Sequence, residues 1–438
     1  MQQHWTASRG FQLFLLVLGF ALSLWMITTF RLHSDQGQIL EKVQKLLNTG
    51  VWTHYGNRGT GTGNIPGSFL TAMAAGPMAL WYSPYAAMFV IICTQLLCAL
   101  LFFFPVKKIF GPGAATLFLI LFWLSPWRNE QVELYNPAYL FLFSGLHFFS
   151  ALRLREKKSF FYSLLHVVAL GFCLQVHFSV LILLFCSLFL WIFKMVKINW
   201  WGVLSGALLV ALSLLPYFLS LSSAGAHGVA VDTQHGFIPG RNLVLVYPIL
   251  KAVIYWVRYG SFYFARHIFT TIHFDWISFE GLRAVVSFVF HLVKWPIAIG
   301  TLLFSLVIQW KFLKQVFGEK PLRSKNTAAR WELSEKDWIF HYAFYLFLGM
   351  LASSALSPVE FNHWHLILCL PTSALLVSVG LGKWLELHPK KIWLIPVIVL
   401  YFVMYNSFAA LGSKMHDASN SYQQQVLEAY PKVRRTFW

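Results

Sequence analysis

Long apolar stretches recur along this chain, and short polar connections separate them. Many approach 20 residues, the length that an α-helix needs to cross the ~30 Å hydrocarbon core of a bilayer. The pattern therefore predicts an all-α polytopic membrane protein with about eleven transmembrane helices, within a range of ten to thirteen. The predicted helices are 11–30, 84–104, 112–127, 137–152, 159–176, 179–196, 202–222, 286–308, 338–356, 363–382 and 392–410.

Two of the connections, 31–83 and 222–284, are too long to be simple turns, and we expect them to carry function. In the first, apolar residues at helical spacing between Asp35 and Leu47 predict an amphipathic helix at the membrane interface, ending at Gly50. The glycine- and threonine-rich stretch 53–66 is predicted as a loop. A second short helix over 68–80 is expected to lie flat or re-enter the membrane.

Composition supports the same conclusion, because 58% of the residues are hydrophobic and only 11% are charged. The net charge of +18 could indicate nucleic acid, but the lysines and arginines lie in short connections, where they set membrane topology. Their distribution predicts a cytoplasmic N-terminus, a basic cytoplasmic loop over 309–337 and no nucleic-acid partner. The chain is interpreted as one membrane-embedded domain, 1–438.

Asp35 is the first candidate for chemistry, since it directly follows the first apolar stretch in a chain with only 16 acidic residues. A carboxylate at this boundary can cap the interfacial helix or act as a base toward a substrate carried by lipid. The two roles are compatible, because a residue in the first helical turn keeps its carboxylate near water.

A second acidic group lies within the segment 128–137, on the same predicted side of the membrane. Glu130 and Glu133 are three residues apart and would share a face on a helical turn. One interpretation is a polar loop in which Arg128 pairs with Glu130. The other is that a second carboxylate, or Asn136, orients an acceptor or binds a cation.

Histidines and cations complete the candidates on this side. His177 lies at a turn between two helices and is either structural or a hydrogen-bonding partner for a phosphate or sugar hydroxyl. His363 and His365 are two residues apart and point to different helical faces, which disfavours a shared metal and leaves two interpretations, a wall of the substrate groove or interfacial structure. Partners for a phosphate are expected among Arg58, Arg128, Arg241, Lys251, Arg258, Arg266 and His267.

These features together resemble the GT-C glycosyltransferases of the protein-O-mannosyltransferase and aminoarabinose-transferase kind. In that family an acidic residue follows the first helix and opens a large outer loop with two juxtamembrane helices, and Asp35 matches it. Many relatives have Asp-Glu there, whereas this chain has Asp35-Gln36. The segments 64–69, 125–137, 175–179 and 365–371 are similar, in the same order, to later motifs of the family.

The resemblance implies a GT-C-like bundle in the inner (plasma) membrane that moves a sugar from a polyprenyl-phosphate donor to a lipid, glycan or protein acceptor of the cell envelope. Asp35 is then the general base of an inverting displacement, at a site facing the periplasm. No cofactor or metal site is expected, and the question of whether a divalent cation takes part is left open. The implied substrate-binding residues are Arg58, Glu130, Glu133, Asn136, His177, Arg258, His363 and His365.

Two other functions fit the same sequence. A flippase or carrier for lipid-linked sugars needs charges along its membrane path, whereas the acids here gather at one surface. A ligase for undecaprenyl-linked glycans relies on a large late outer loop, for which 222–284 is suitable.

Overall fold

The computed structural model describes residues 8–30, 34–59, 63–222, 246–264, 272–318, 333–357 and 362–413. The predicted phosphate partners Arg241, Arg266 and His267 lie outside these residues, as do most of the long connection 222–284 and part of the basic loop 309–337.

Every one of the eleven predicted helices has a counterpart in the structure, so the predicted fold class is confirmed. The largest difference in length is at 286–308, where one helix runs for 39 residues, or roughly 58 Å. The counterparts are α1 (Arg9–Thr28), α4 (Pro84–Phe110), α5 (Pro112–Phe118) with a π-helical turn (Leu119–Trp123), α7 (Leu140–Glu156), α8 (Phe160–Leu174), α9 (Val180–Ile192), α10 (Trp200–Ser222), α12 (Glu280–Gly318), α13 (Glu335–Ala355), α14 (His363–Leu366) continued by α15 (Leu370–Leu387), and α16 (Leu394–Gly412).

The remaining elements lie between these helices. They are α2 (Ser34–Thr49), β1 (Tyr55–Gly59), β2 (Gly63–Pro66), α3 (Phe69–Leu80), α6 (Pro126–Asn129), α11 (Val246–Tyr259), and the 3₁₀ turns Glu130–Val132, Asn136–Tyr139, Ile367–Cys369 and Pro389–Lys391. Seven helical segments among the described residues are long and apolar enough to cross a membrane. Four others in the described ranges are apolar but shorter, namely Phe69–Leu80, Pro112–Trp123, Phe160–Leu174 and Val180–Ile192. The described part of the chain is therefore a multi-pass helical membrane protein.

The first long connection contains both predicted helices. Helix α2 buries Ile39, Leu40 and Val43, which recur at helical spacing, and it packs against α3 and β1. It ends at Gly50, whose φ of 70° is the left-handed conformation that glycine adopts most easily.

The stretch 53–66 was expected to be a loop, and that expectation is wrong. Its described residues 55–59 and 63–66 form the two strands of an antiparallel hairpin, in which Tyr55 pairs with Pro66 and Arg58 with Asn64. Lys42 of α2 donates to the carbonyl oxygen of Gly56 at 2.8 Å and to Asn57 Oδ1 at 3.2 Å. The hairpin is therefore fastened to the interfacial helix.

Packing brings the ends of distant helices together. Helix α7 lies against α4 and α8, α9 lies against α13, and α15 lies against α5 and α12. The segment 123–139 between α5 and α7 is buried at the end of this bundle. The segment carries the predicted site residues Glu130, Glu133 and Asn136, so the bundle buries side chains that a surface loop would expose.

Candidate functional site

Asp35 lies in the first turn of α2, close to where α1 ends. Its side chain is half-buried, and this burial raises the pKa of its carboxyl group above the ordinary value of 3.8. Its main-chain carbonyl accepts a hydrogen bond of 3.2 Å from Asn57 Nδ2. The backbone around the carboxylate is thus held by a side chain of β1.

Glu133 is buried beside this turn. Gln36, the neighbour of Asp35, donates from Nε2 to the Glu133 carboxylate at 2.9 Å. Loss of water raises the pKa of Glu133 well above its usual value, the charge of Asp35 raises this pKa further, and the Gln36 hydrogen bond opposes both. Asp35 and Glu133 therefore form one electrostatically coupled pair.

Glu130 is also buried, but it does not share a helical face with Glu133 as expected. The 3₁₀ turn ends at Val132, and Glu133 has an extended backbone with φ of −68° and ψ of 157°. Burial raises the pKa of Glu130 well above its usual value, and Glu133 adds to this, while the charges of Lys294 and Arg258 oppose it. The charge of Glu133 therefore disfavours ionisation of Glu130, and the charges of Lys294 and Arg258 favour it.

Lys294 was missed by the sequence interpretation. It lies within the long membrane-spanning helix α12 and is 93% buried, with its ammonium 5.6 Å from the ring centre of Phe290 and 5.9 Å from that of Tyr405. The available signal was a lone lysine inside an apolar stretch, which is costly in a bilayer and for that reason usually functional.

Arg258 belongs to an aromatic cage at the end of α11. Its guanidinium lies 4.9 Å from the ring centres of both Tyr255 and Tyr263 and 5.1 Å from that of Trp127. Its Nε donates to the Tyr263 carbonyl at 3.2 Å. Burial lowers the pKa of Arg258, because the cage removes water from the charge. Trp127 also contacts the buried ring of His363, at 5.6 Å between ring centres, so the predicted His363 is part of the same wall.

Asn136 and Arg58 sit at the hairpin side of the site. Asn136 Oδ1 accepts from Asn57 Nδ2 at 2.9 Å, and Asn136 Nδ2 donates to the Val176 carbonyl at 3.3 Å. Arg58 is exposed on β1, and its main-chain N–H donates to Gln38 Oε1 at 3.0 Å. Asn136 joins the hairpin to the turn after α8, and its role toward substrate remains a prediction, as does that of Arg58.

His177 and His365 come from separate helix ends and meet with 5.6 Å between ring centres. The main-chain N–H of Ser179 donates to Nδ1 of His177 at 3.1 Å, and that of Asn362 donates to Nδ1 of His365 at 3.0 Å. A neutral imidazole that accepts at Nδ1 carries its proton on Nε2. Lys251 donates to Asn362 Oδ1 at 3.0 Å, which places a further cation beside the pair.

We expect this histidine pair to make stability depend on pH. Burial, reinforced by His365, lowers the pKa of His177 from 6.5 to about 3, so the folded state disfavours its charged form. Stability from this group is complete above pH 6.5 and is lost as the pH falls toward 3, by at most about 1.4 kcal/mol per pH unit. As the pH is lowered from 7 to 5, the midpoint temperature of thermal unfolding should fall less steeply for His177→Asn than for the unmodified protein. His54→Asn, at an exposed histidine, is the control, and equal slopes in all three proteins contradict the assignment.

Arg128 does not pair with Glu130, so that interpretation of the acidic segment is wrong. The buried guanidinium donates to Ser23 Oγ at 2.5 Å, to Gln95 Oε1 at 3.3 Å and to the Trp123 carbonyl. These partners come from α1, α4 and the π-helical turn. Arg128 therefore holds neighbouring helices together. The charges of Lys294 and Arg258, from other helices, lower the pKa of Glu130.

The predicted site residues thus occupy one end of the bundle. Within the described ranges, no group of three or more His, Cys, Asp or Glu side chains could hold a metal ion. The fold and this arrangement define a multi-pass membrane protein with coupled buried carboxylates and partly buried cations at the end of its helical bundle.

Comparison with known proteins gives likeness in structure. No family model matches the chain, and no curated protein matches it in sequence. The chain is similar to the crystal structure of ArnT from Cupriavidus metallidurans bound to undecaprenyl phosphate, with a TM-score of 0.49 and 13% identity over 85% of this chain and 60% of that chain. The apo structure of the same protein gives the same TM-score and identity, with 59% of its chain covered. The chain spans about 60% of the length of these structures.

Proposed function

We propose that this protein is a membrane glycosyltransferase that moves a sugar from a polyprenyl-phosphate donor to an acceptor hydroxyl. The observation that carries the proposal is a set of contacts at one end of the bundle: Gln36, next to Asp35, hydrogen-bonds Glu133, and Trp127 of the same buried segment contacts Arg258. Asp35 acts on Glu133, Glu133 acts on Glu130, and Lys294 and Arg258 act on Glu130. The proposed base and the proposed cationic phosphate site therefore belong to the same end of the bundle, as transfer from a sugar phosphate requires.

Asp35 is the general base in this proposal. It is less buried than Glu130 and Glu133, so an acceptor can reach it. Burial raises the pKa of its carboxyl group above the ordinary value, which strengthens the carboxylate as a proton acceptor. The acceptor oxygen forms a bond to the anomeric carbon, its proton passes to Asp35, and the bond from that carbon to the phosphate oxygen breaks.

Lys294 and Arg258 bind the phosphate that departs. Both cations are largely withdrawn from water, with Lys294 inside a membrane-spanning helix and Arg258 in its aromatic cage. In partly desolvated surroundings such charges stabilise developing negative charge more strongly than they do in water. A single base and a good leaving group on opposite sides of the sugar favour one displacement with inversion.

The aromatic residues beside the cations suit the lipid part of the donor. Phe264 contacts Trp127 at 5.8 Å and Tyr405 at 4.9 Å between ring centres, and Phe290 contacts Tyr405 at 5.8 Å. This aromatic wall runs from the cage of Arg258 to the membrane-spanning helices α12 and α16. A polyprenyl chain entering from the bilayer would lie along it.

Location and further site roles are part of the same proposal. The basic residues of the short connections favour the inner (plasma) membrane with a cytoplasmic N-terminus, which places Asp35 on the outer face. His177, His365, Asn136 and Arg58 then surround the entrance for an acceptor of the cell envelope.

Incubation of the purified protein in detergent with a membrane lipid extract tests this function. We expect polyprenyl-phosphate sugars to be consumed and free polyprenyl phosphate to appear, as followed by mass spectrometry, with heat-denatured protein as control. A flippase leaves every donor intact in detergent, where no leaflets exist. A ligase instead consumes a pyrophosphate-linked glycan and releases polyprenyl pyrophosphate. Either outcome contradicts the proposal.

A further inference from the structure

A basic groove lies at the opposite end of the bundle from the candidate site. Helix α7 starts next to Asn136 and runs for 17 residues, or roughly 25 Å, to Glu156. Beyond it the groove, with a volume of about 520 Å³, is lined by side chains that include Lys158, Lys194, Lys197, Trp191 and Trp200. The groove is therefore separated from Asp35 by most of the thickness of a bilayer.

The groove is positively charged, since its lining residues include three lysines and no carboxylate. The nearby Glu156 carboxylate pairs with Arg153 at 3.3 Å. Lys197 Nζ donates to the main-chain carbonyl of Glu156 at 3.2 Å, which holds this lysine beside the end of α7. An anion entering the groove would meet three ammonium groups.

The backbone places one of these lysines in an unusual way. Helix α9 ends in a Schellman motif, in which Lys194 N–H donates to the Trp191 carbonyl at 3.0 Å and Met195 N–H to the Leu190 carbonyl at 2.7 Å. Lys194 occupies the left-handed position of this motif with φ of 53°, where glycine is the usual residue. A lysine at this strained position brings its ammonium group to the rim of the groove.

Aromatic and aliphatic side chains continue the groove toward the bilayer. Trp191 and Trp200 pack edge to face with 6.3 Å between ring centres and are about half exposed, as tryptophans at membrane interfaces are. Leu188 on α9 and Leu204 on α10 are also exposed. The lysines, the tryptophans and the leucines therefore follow each other in the same order as the headgroup, the glycerol and the acyl chains of a phospholipid.

We infer that this groove binds the headgroup of an anionic phospholipid, whose acyl chains lie along α9 and α10. The three lysines contact the phosphate and the negative headgroup, and the tryptophans lie at the glycerol level. The charge complementarity selects an anionic lipid over a zwitterionic one. The apolar wall selects a lipid over free phosphate.

Titration of the full-length detergent-solubilised protein with phosphatidylglycerol, followed by native mass spectrometry, tests the inference. We expect each of Lys158→Gln, Lys194→Gln and Lys197→Gln to weaken binding about fivefold, and the triple variant to lose the bound lipid. The matched control removes three exposed lysines that are not among those lining the groove, by Lys311→Gln, Lys390→Gln and Lys391→Gln. It should bind phosphatidylglycerol as the unmodified protein does.

The inference is overturned if the triple variant binds normally, if the control variant loses as much, or if phosphatidylcholine binds equally well. Inorganic phosphate that displaces the lipid at equal concentration would assign the groove to a free anion instead. Should the triple variant fail to fold, Lys158→Gln alone tests the inference. Lys158→Arg is then expected to bind the lipid as the unmodified protein does, because it keeps the positive charge.

Discussion

Replacing Asp35 by Asn should lower the rate of sugar transfer by about 10²–10⁴-fold, which is the usual contribution of a general base. Asparagine has nearly the same shape but cannot accept the acceptor's proton at neutral pH. The fold should be retained, because Asn57 holds the Asp35 main-chain carbonyl and not its carboxylate. Release of polyprenyl phosphate by purified Asp35→Asn protein, compared with the unmodified protein, measures the effect.

Glu41→Gln is the matched control for this experiment. Glu41 lies on the same helix α2, is exposed, and loses the same single charge on substitution. Its transfer rate should remain within a factor of two of the unmodified rate, since its carboxylate faces water. If Asp35→Asn retains near-normal transfer, or if both variants lose it equally, Asp35 is not the base.

The same assignment sets the dependence of transfer on pH. A base acts when ionised, so transfer should fall as the pH is lowered through the pKa of Asp35. Burial raises this pKa, and the fall should therefore be centred above pH 3.8, the value for an aspartate in water. A pH–rate profile of the purified protein measures the midpoint.

Replacing Arg128 by Met should destabilise the protein by about 1–3 kcal/mol, because it leaves buried hydrogen-bonding groups on neighbouring helices without their donor. Burial lowers the pKa of Arg128 to about 9, and it therefore remains charged at neutral pH. Without it, Ser23, Gln95 and the Trp123 carbonyl lose a donor while remaining buried. Unfolding in detergent, followed by circular dichroism, measures the loss.

Arg153→Met is the control for this second experiment. Arg153 pairs with Glu156 at 3.3 Å near the surface, and such pairs contribute about 1 kcal/mol or less. Arg128→Lys should be intermediate, because lysine keeps the charge but lacks the planar fork that reaches three helices. Equal stability of Arg128→Met and Arg153→Met would show that the network does not hold the helices together.

These predictions separate two kinds of buried charge at the same end of the bundle. Arg128 binds neutral groups on neighbouring helices and is expected to act on stability. Lys294 and Arg258 lie within an aromatic wall, and their charges lower the pKa of Glu130. We expect them to affect substrate binding and transfer. Sequence reasoning grouped Arg128 with Glu130 because they are neighbours in the chain, whereas folding gives them different partners.

The sequence by itself determined the membrane architecture and the position of Asp35. The spacing and length of the apolar stretches were sufficient to predict the eleven helices and α2. A helix in a bilayer satisfies its own backbone hydrogen bonds, whatever its neighbours are. The same local pattern placed Asp35 in the first turn after α1. Both features depend only on residues close together in the chain.

Only the tertiary structure decided which side chains act on each other. The hairpin 55–66 depends on Lys42 and α2, and the cations of Glu130 come from α11 and α12, more than 120 positions away. His177 and His365 are 188 positions apart and meet only because two helix ends pack together. Burial, which raises the pKa values of Glu130 and Glu133, likewise depends on the whole bundle and cannot be predicted from the residues next to them in the sequence.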